Sequence, residues 1–194
     1  YKTIIFGLES SLYQDTKPYN DRIKNKILNS GAIGKETIRS RVANKIINPK
    51  RSSWYFYKLR TLCNKLKYVE HARDVEKNYN QKDYQYILSQ YCAAIGATTF
   101  YPTIKYWEIS ASGCLAFLEI TDENKGEYLG YEDNETAIFI NEKNYKKKFE
   151  EYLNDLENPK WKKIAQNGQN HTMNNLNNDR AVDSLVDLFT ELIL

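Results

Sequence analysis

The sequence has no apolar run near the roughly 20 residues that a membrane-crossing helix needs. It also lacks the charged, apolar and small-residue order of a secretory signal peptide. Cysteines are few: Cys63, Cys92 and Cys114 are widely spaced and odd in number. They fit neither a disulfide framework nor a zinc-ligand spacing, and a reducing cytoplasm is the simplest setting for them. Only two histidines are present, His71 and His171. That makes a His-rich metal site a poor expectation, and neither has a Ser or Asp at the spacing of a hydrolytic triad. Both are read as structural histidines. A glycine-rich phosphate fingerprint is missing too, because Gly7 follows the first apolar run as a single glycine.

What remains is ordinary globular composition, with 41% hydrophobic and 27% charged residues over 194 positions and 16 tyrosines. That length suits one domain with a substantial core. Net charge is only +3, but it is unevenly spread. Residues 35–67 hold ten Lys/Arg against the single acid Glu36, and residues 119–157 hold twelve acids against five lysines. The basic block is interleaved with Trp54, Tyr55 and Tyr57. It has three readings, in this order: a solvated or docking helical face, a peripheral contact with an anionic membrane surface, and a nucleic-acid surface. Nucleic acid is not the expected partner.

Along the chain, Lys2 to Gly7 reads as a buried strand, followed by a polar turn with Ser10 and Ser11, where a phosphate would meet hydroxyl and N–H donors. A helix is predicted from Pro18 to Asn29, carrying Arg22. Residues 31–67 are irregular, with helical patterns around Ile38–Ile47 and Trp54–Leu62 and a short strand at Lys67–Ala72. A helix is expected at Asp83–Gln90, then strands at Tyr91–Thr98, Cys114–Ile120 and Thr136–Ile140. Further helices are expected at Tyr145–Leu156, Trp161–Gly168 and Asp179–Leu192, the last with Val182, Leu185, Val186, Phe189 and Leu192 inward. Trp107 and Trp161 are read as core. Strands alternating with helices argue for an α/β fold, a Rossmann-like parallel sheet with helices on both faces.

The run Lys105 to Gly113 (KYWEISASG) is the most informative. A helix starting near Pro102-Thr103 places Lys105, Glu108 and Ser112 on one face and Ile104, Trp107 and Ala111 on another. A cation and a carboxylate then share an exposed stripe at the mouth of a buried strand, where open α/β sheets bind ligands.

This run, continued by Cys114-Leu115-Ala116-Phe117, resembles the K-x-F-E-x-x-A-x-G signature of GT-B glycosyltransferases, closest to the group-1 type and its spore-maturation-like branch. The resemblance extends through Glu127-Tyr128-Leu129-Gly130, the strand TAIFI, Asn158-Pro159, Ile164 to Gly168, His171 and Arg180-Ala181. It covers about residues 1–30 and 80–190 and is poor over 31–67. It implies that residues 1–194 form a single nucleotide-sugar-binding domain, the C-terminal half of a GT-B fold. An N-terminal acceptor domain is then expected outside this sequence. The implied activity is glycosyl (hexosyl) transfer from a nucleotide diphosphate sugar to a sugar, lipid or protein acceptor, in the cytoplasm or at the membrane periphery, with no metal or cofactor expected and no activity expected from this domain alone.

By the same resemblance Glu108 accepts hydrogen bonds from the nucleotide ribose hydroxyls, as a carboxylate does well. Lys105, the N–H groups near Thr103, and Ser10, Ser11 and Arg22 are the phosphate candidates. Glu119 and Asp122, at the end of the next strand, are the donor-sugar candidates, with a solvated acidic loop as the alternative. Many group-1 relatives carry a second Glu eight residues before the ribose Glu, and here that position is Phe100. No catalytic residue is assigned, and retention or inversion stays open. The alternative from another class is a non-catalytic Rossmann-like binding or interaction module.

Overall fold

The computed structural model describes residues 5, 7–34, 37–39, 42, 46, 52–72 and 84–193. Among them is a five-stranded, all-parallel sheet in the order β2-β1-β3-β4-β5. The strands are β1 (Ile23–Asn29), β2 (Val69–His71), β3 (Tyr91–Gly96), β4 (Leu115–Leu118) and β5 (Ile138–Phe139). The helices are α1 (Ser53–Phe56), α2 (Lys58–Cys63), α3 (Tyr84–Ser89), α4 (Lys105–Ala111), α5 (Tyr145–Leu153), α6 (Pro159–Asn175) and α7 (Asn178–Ile193).

Every residue of β3 and β4 is buried. Such continuous apolar strands are what a parallel sheet needs when both faces are covered. One face packs against α3 and α4 through Ile87, Leu88, Tyr106 and Ile109. The other packs against α2, α5 and the start of α6 through Leu59, Phe149, Tyr152 and Trp161. There Phe117 meets Phe149 edge-on at 4.8 Å, and Tyr152 meets Trp161 at 5.6 Å. Asn158 caps α6, its side chain accepting from Lys160 N at 3.0 Å, and Pro159 stands in the first turn. Pro fits there because the first helical N–H groups have no partner inside the helix.

Two expectations are corrected. Residues 23–29 form a central strand, not a helix. Ile27, Leu28 and Asn29 pair with Val69–His71 on one side and with Ala93–Ile95 on the other. Pro18 precedes only a short 3-10 turn, Tyr19–Asp21. The stripe of α7 also does not face inward: Val182, Leu185, Val186 and Phe189 are 58%, 41%, 56% and 55% exposed. Amphipathic spacing identifies an apolar face but not what covers it.

The expected strand over Lys2–Gly7 falls largely outside the described residues. Within them, Ile5 and Gly7 belong to no strand, and Leu8 forms an isolated bridge with Asn177. A Cβ on Gly7 would stand 2.1 Å from the Asn177 backbone, so this glycine permits close chain packing. The expected helix at Ile38–Ile47 is described only at Ile38, Arg39, Val42 and Ile46, which are helical and exposed. The three cysteines are buried and unbridged, and no helix among the described residues is long and apolar enough to cross a membrane.

Candidate functional site

The strand order reverses between β1 and β3, since the chain steps from β1 outward to β2 and then back across to β3 and β4. Ligands of open α/β sheets bind in the crevice outside the carboxyl ends of the strands at such a switch point. Among the described residues, the segments that leave those strand ends include 30–34, 98–103, 119–126 and 141–144.

Two side chains tie these segments together. Tyr106 Oη accepts from Thr98 N (2.9 Å) and donates to Glu119 O (3.0 Å). Asn124 donates to Thr98 O (3.1 Å) and to Glu119 O, and its Oδ1 accepts from Thr121 N and Gly126 N. The loops after β3 and β4 are thereby fixed to one another.

Lys105 and Glu108 lie in the first turn of α4, at this carboxyl edge. They form an ion pair of 3.0 Å. Lys105 Nζ also lies 3.3 Å from the ring centroid of Tyr84, whose hydroxyl meets Ser30 Oγ. Burial and then the Glu108 carboxylate push the hydroxyls of Tyr13 and Tyr84 up from their usual value. The stripe expected to be exposed is therefore mostly roofed: the Glu108 side chain is 13% exposed and Ser112 is fully buried. Thr103 Oγ1, one turn back, is buried without a hydrogen-bond partner among the described residues.

Of the other phosphate candidates, Ser10 and Ser11 belong to the short 3-10 helix that carries Tyr13. Ser11 Oγ donates locally to Glu9 Oε1 at 2.8 Å. Arg22 is at the opposite, amino edge of the sheet, just before β1. Its guanidinium donates to Lys17 O (2.7 Å) and Ser112 O (2.8 Å), which makes it a packing arginine at the start of β1 and β4.

A cation that the sequence did not single out stands at the switch point. Arg60, on α2, is 2% exposed. Its Nη1 donates to Ala32 O at 3.2 Å, while Nε and Nη2 have no hydrogen-bond partner among the described residues. Gly31, at φ +122°, admits it: a Cβ there would be strained and would stand 2.6 Å from Arg60 Nη1. Burial draws the guanidinium pKa down, and Tyr106, Tyr57, Tyr84 and Glu119 pull it back up. His71 closes this turn by bonding Gly31 O at 2.8 Å. His171 bonds Leu129 O at 2.8 Å, a structural partner at the far end of α6.

The two sugar candidates do come together. Glu119 and Asp122 line a cleft of about 530 Å³ with Thr99, Thr121, Glu123, Asn141, Glu142 and Lys143. Glu119 is 7% exposed, and its Oε2 is buried without a hydrogen-bond partner among the described residues. Burial, with Glu142 next and Glu123 adding, pushes its carboxyl up to about 7, against the opposing pull of Arg60 and Lys58. Among the described residues no group of three or more His, Cys, Asp or Glu is arranged to hold a metal ion.

Solved structures that share this fold include the following three. A glycosyltransferase from Rickettsia africae ESF-5 matches 98% of this chain and 56% of its own, at 13% identity and a TM-score of 0.63. Sucrose-phosphate synthase from Thermosynechococcus elongatus matches 99% of this chain and 52% of its own, at 14% identity and 0.57. The GtfA/B complex matches 95% of this chain and 38% of its own, at 14% identity and 0.56. The chain thus spans about half or less of each neighbour's length. No family model matches it, and no curated protein does. At these identities the likeness shows the fold: an α/β, Rossmann-like half of the kind found in GT-B glycosyltransferases.

Proposed function

We propose that this chain is the donor-binding half of a glycosyltransferase of the GT-B group-1 type, in the spore-maturation-like branch, acting with an acceptor-binding domain outside this sequence. It takes a nucleotide diphosphate sugar and serves transfer of the glycosyl unit to a sugar, lipid or protein acceptor. The observation that carries this reading is the pair Lys105–Glu108 in the first turn of α4, at the carboxyl edge of a sheet whose fold is shared with glycosyltransferases over nearly its whole length.

In this reading the Glu108 carboxylate accepts the two ribose hydroxyls. Lys105 leaves its ion pair to meet the diphosphate as a point charge, joined by the N–H groups near Thr103. Arg60 supplies a buried positive charge beneath the turn at Ser30–Gly31, with Nε and Nη2 lacking a hydrogen-bond partner among the described residues. These fixed donors stabilise the negative charge that builds as the nucleotide leaves. No metal is needed where protein cations fill that role. Glu119 and Asp122 meet the sugar hydroxyls, and Ser10 and Ser11 stand near the nucleotide through the Tyr13 turn.

Isothermal titration of the chain with UDP and GDP tests the reading. Binding is expected in the micromolar-to-millimolar range and is lost in Glu108→Ala. Silence at millimolar nucleotide, or binding indifferent to Glu108→Ala, overturns it.

A second reading, a non-catalytic binding module, is favoured by the self-pairing of Lys105 with Glu108 under Tyr84 and by Phe100 where many relatives carry Glu. Nucleotide binding without sugar release, assayed with the acceptor-binding domain present, would select it.

A further inference from the structure

We propose that the cleft at the ends of β4 and β5 selects the sugar by charge, accepting a neutral or amino hexose and rejecting a hexuronate. The inference rests on the donor reading above and adds the class of sugar. Four carboxylates line the cleft, Glu119, Asp122, Glu123 and Glu142, against the single lining ammonium of Lys143. Two further cations act on Glu119 from α2: Arg60, which is buried, and Lys58, which Glu142 already engages at 2.6 Å.

An acidic lining alone would be an ordinary solvated surface. Glu119 makes the difference. It is more than nine-tenths buried and lines the cleft, and its Oε2 has no hydrogen-bond partner among the described residues. A buried carboxyl oxygen without a partner is costly to leave unsatisfied. A sugar hydroxyl or ammonium group satisfies it by donating a hydrogen bond. A second carboxylate cannot, and would add like-charge repulsion.

An aromatic border adjoins the same cleft. Thr99 in the lining is held by its N–H to Phe56 O (3.0 Å) and its hydroxyl to Tyr55 O (2.6 Å). This brings Tyr55 and Phe56 of α1 against Phe100 and Tyr101, with ring centroids 5.3 Å and 5.1 Å apart for Tyr55–Phe100 and Phe56–Tyr101. Tyr101 is 58% exposed. Carboxylates beside aromatic faces suit a ligand with hydroxyls on its edge and apolar C–H groups on its faces, as pyranoses have.

The charge of the cleft also depends on pH. Glu119 faces Glu123 from its own loop, Glu142 from the segment after β5, Arg60 and Lys58 from α2, and Tyr106 from α4. Its carboxyl titrates at about 7, so the cleft loses one negative charge as pH falls through neutrality, and rejection of a uronate weakens there.

The test uses the whole chain and ligand-observed NMR at pH 8 with free glucose, glucosamine and glucuronate, alongside titrations with UDP, UDP-glucose and UDP-glucuronate. Glucose and glucosamine are expected to bind about tenfold or more tightly than glucuronate, with the same order for the two nucleotide sugars. In the double variant Glu119→Gln/Glu142→Gln, which keeps side-chain shape, the preference should shrink to about twofold; circular dichroism checks that the variant is folded. Equal or tighter glucuronate binding by the unaltered chain, a preference unmoved in the folded double variant, or no sugar binding at all overturns the inference. If UDP binds but the sugars are not distinguished, charge selection fails and the nucleotide reading stands. If UDP does not bind while glucose is still preferred over glucuronate, the nucleotide reading fails and charge selection stands.

Discussion

Replacing Glu119 by Gln should stabilise the protein at pH 8 and leave it nearly unchanged at pH 5. The carboxyl is buried, and its pKa is raised from 4.5 to about 7. Between those values the native state holds a proton that the unfolded chain has released. The native state therefore binds more protons there, and stability falls as pH rises through that window, levelling off above about 7. The difference between 4.5 and about 7 corresponds to roughly 3 kcal/mol of lost stability at pH 8. Gln mimics the protonated carboxyl and does not titrate, so the variant escapes most of that loss. Relaxation of the loop and partial compensation by Arg60 and Lys58 would reduce the gain, to about 1–3 kcal/mol. Urea unfolding of both proteins at pH 5, 6, 7 and 8 measures it, with the midpoint of the variant rising relative to the parent as pH increases. A constant difference across that range refutes the reasoning, as does a variant that is less stable at pH 8. Either result would mean that Glu119 stays ionised in the fold with a partner that compensates its burial.

Two further perturbations probe the scaffold. Gly168→Ala sets a Cβ 2.2 Å from Thr136 O, a backbone atom in the turn before β5; a loss of about 1–3 kcal/mol in urea unfolding is expected, and unchanged stability would mean that α6 does not lie this close to that turn. Val186→Ser with Phe189→Ser alters two α7 positions that are more than half exposed; stability should move by no more than about 0.5 kcal/mol per site, and a loss of several kcal/mol would show that the stripe is packed within this chain.

The middle of the sheet was legible because its strands advertise themselves. Tyr91–Gly96 and Leu115–Leu118 are apolar on both faces, a pattern suited only to burial between two layers. β1 was not legible. In Ile-Lys-Asn-Lys-Ile-Leu-Asn the apolar residues fall at 23, 27 and 28, a spacing that a helix also satisfies. Its state is decided by partners far along the chain, Val69–His71 on one side and Ala93–Ile95 on the other. Ile23 is 39% exposed while Asn29 is fully buried, and no local pattern announces that inversion. Asn29 is tolerated because its amide donates to Arg60 O and Asn64 Oδ1, both at 3.1 Å.

The strand at β1 adds a second turn to the candidate site. An opening strand at Lys2–Gly7 points to Ser10, Ser11 and Arg22 as phosphate residues, and Arg22 lies at the amino edge of the sheet. The turn at the switch point is Ser30-Gly31, and the buried cation beneath it is Arg60. Ten cations crowd residues 35–67, and nothing in their spacing distinguishes the one that folds inward. The α4 half was legible because Lys105 and Glu108 are local to one turn. The two halves carry opposite charge: Arg60 lies under the β1 turn, and four carboxylates line the cleft beyond β4 and β5. Of these groups only Arg60 and Glu119 are buried; buried charges weaken a fold unless something compensates them, and perturbed groups of that sort gather at functional sites. Arg60 and Glu119 also act on each other, so the sign of charge changes along one continuous edge. Under the donor-half proposal, a ligand anionic at one end and rich in hydroxyls at the other is favoured in one orientation, phosphates toward Arg60 and sugar toward Glu119. The reversed orientation would set phosphate against carboxylates and leave the guanidinium donors without an anion.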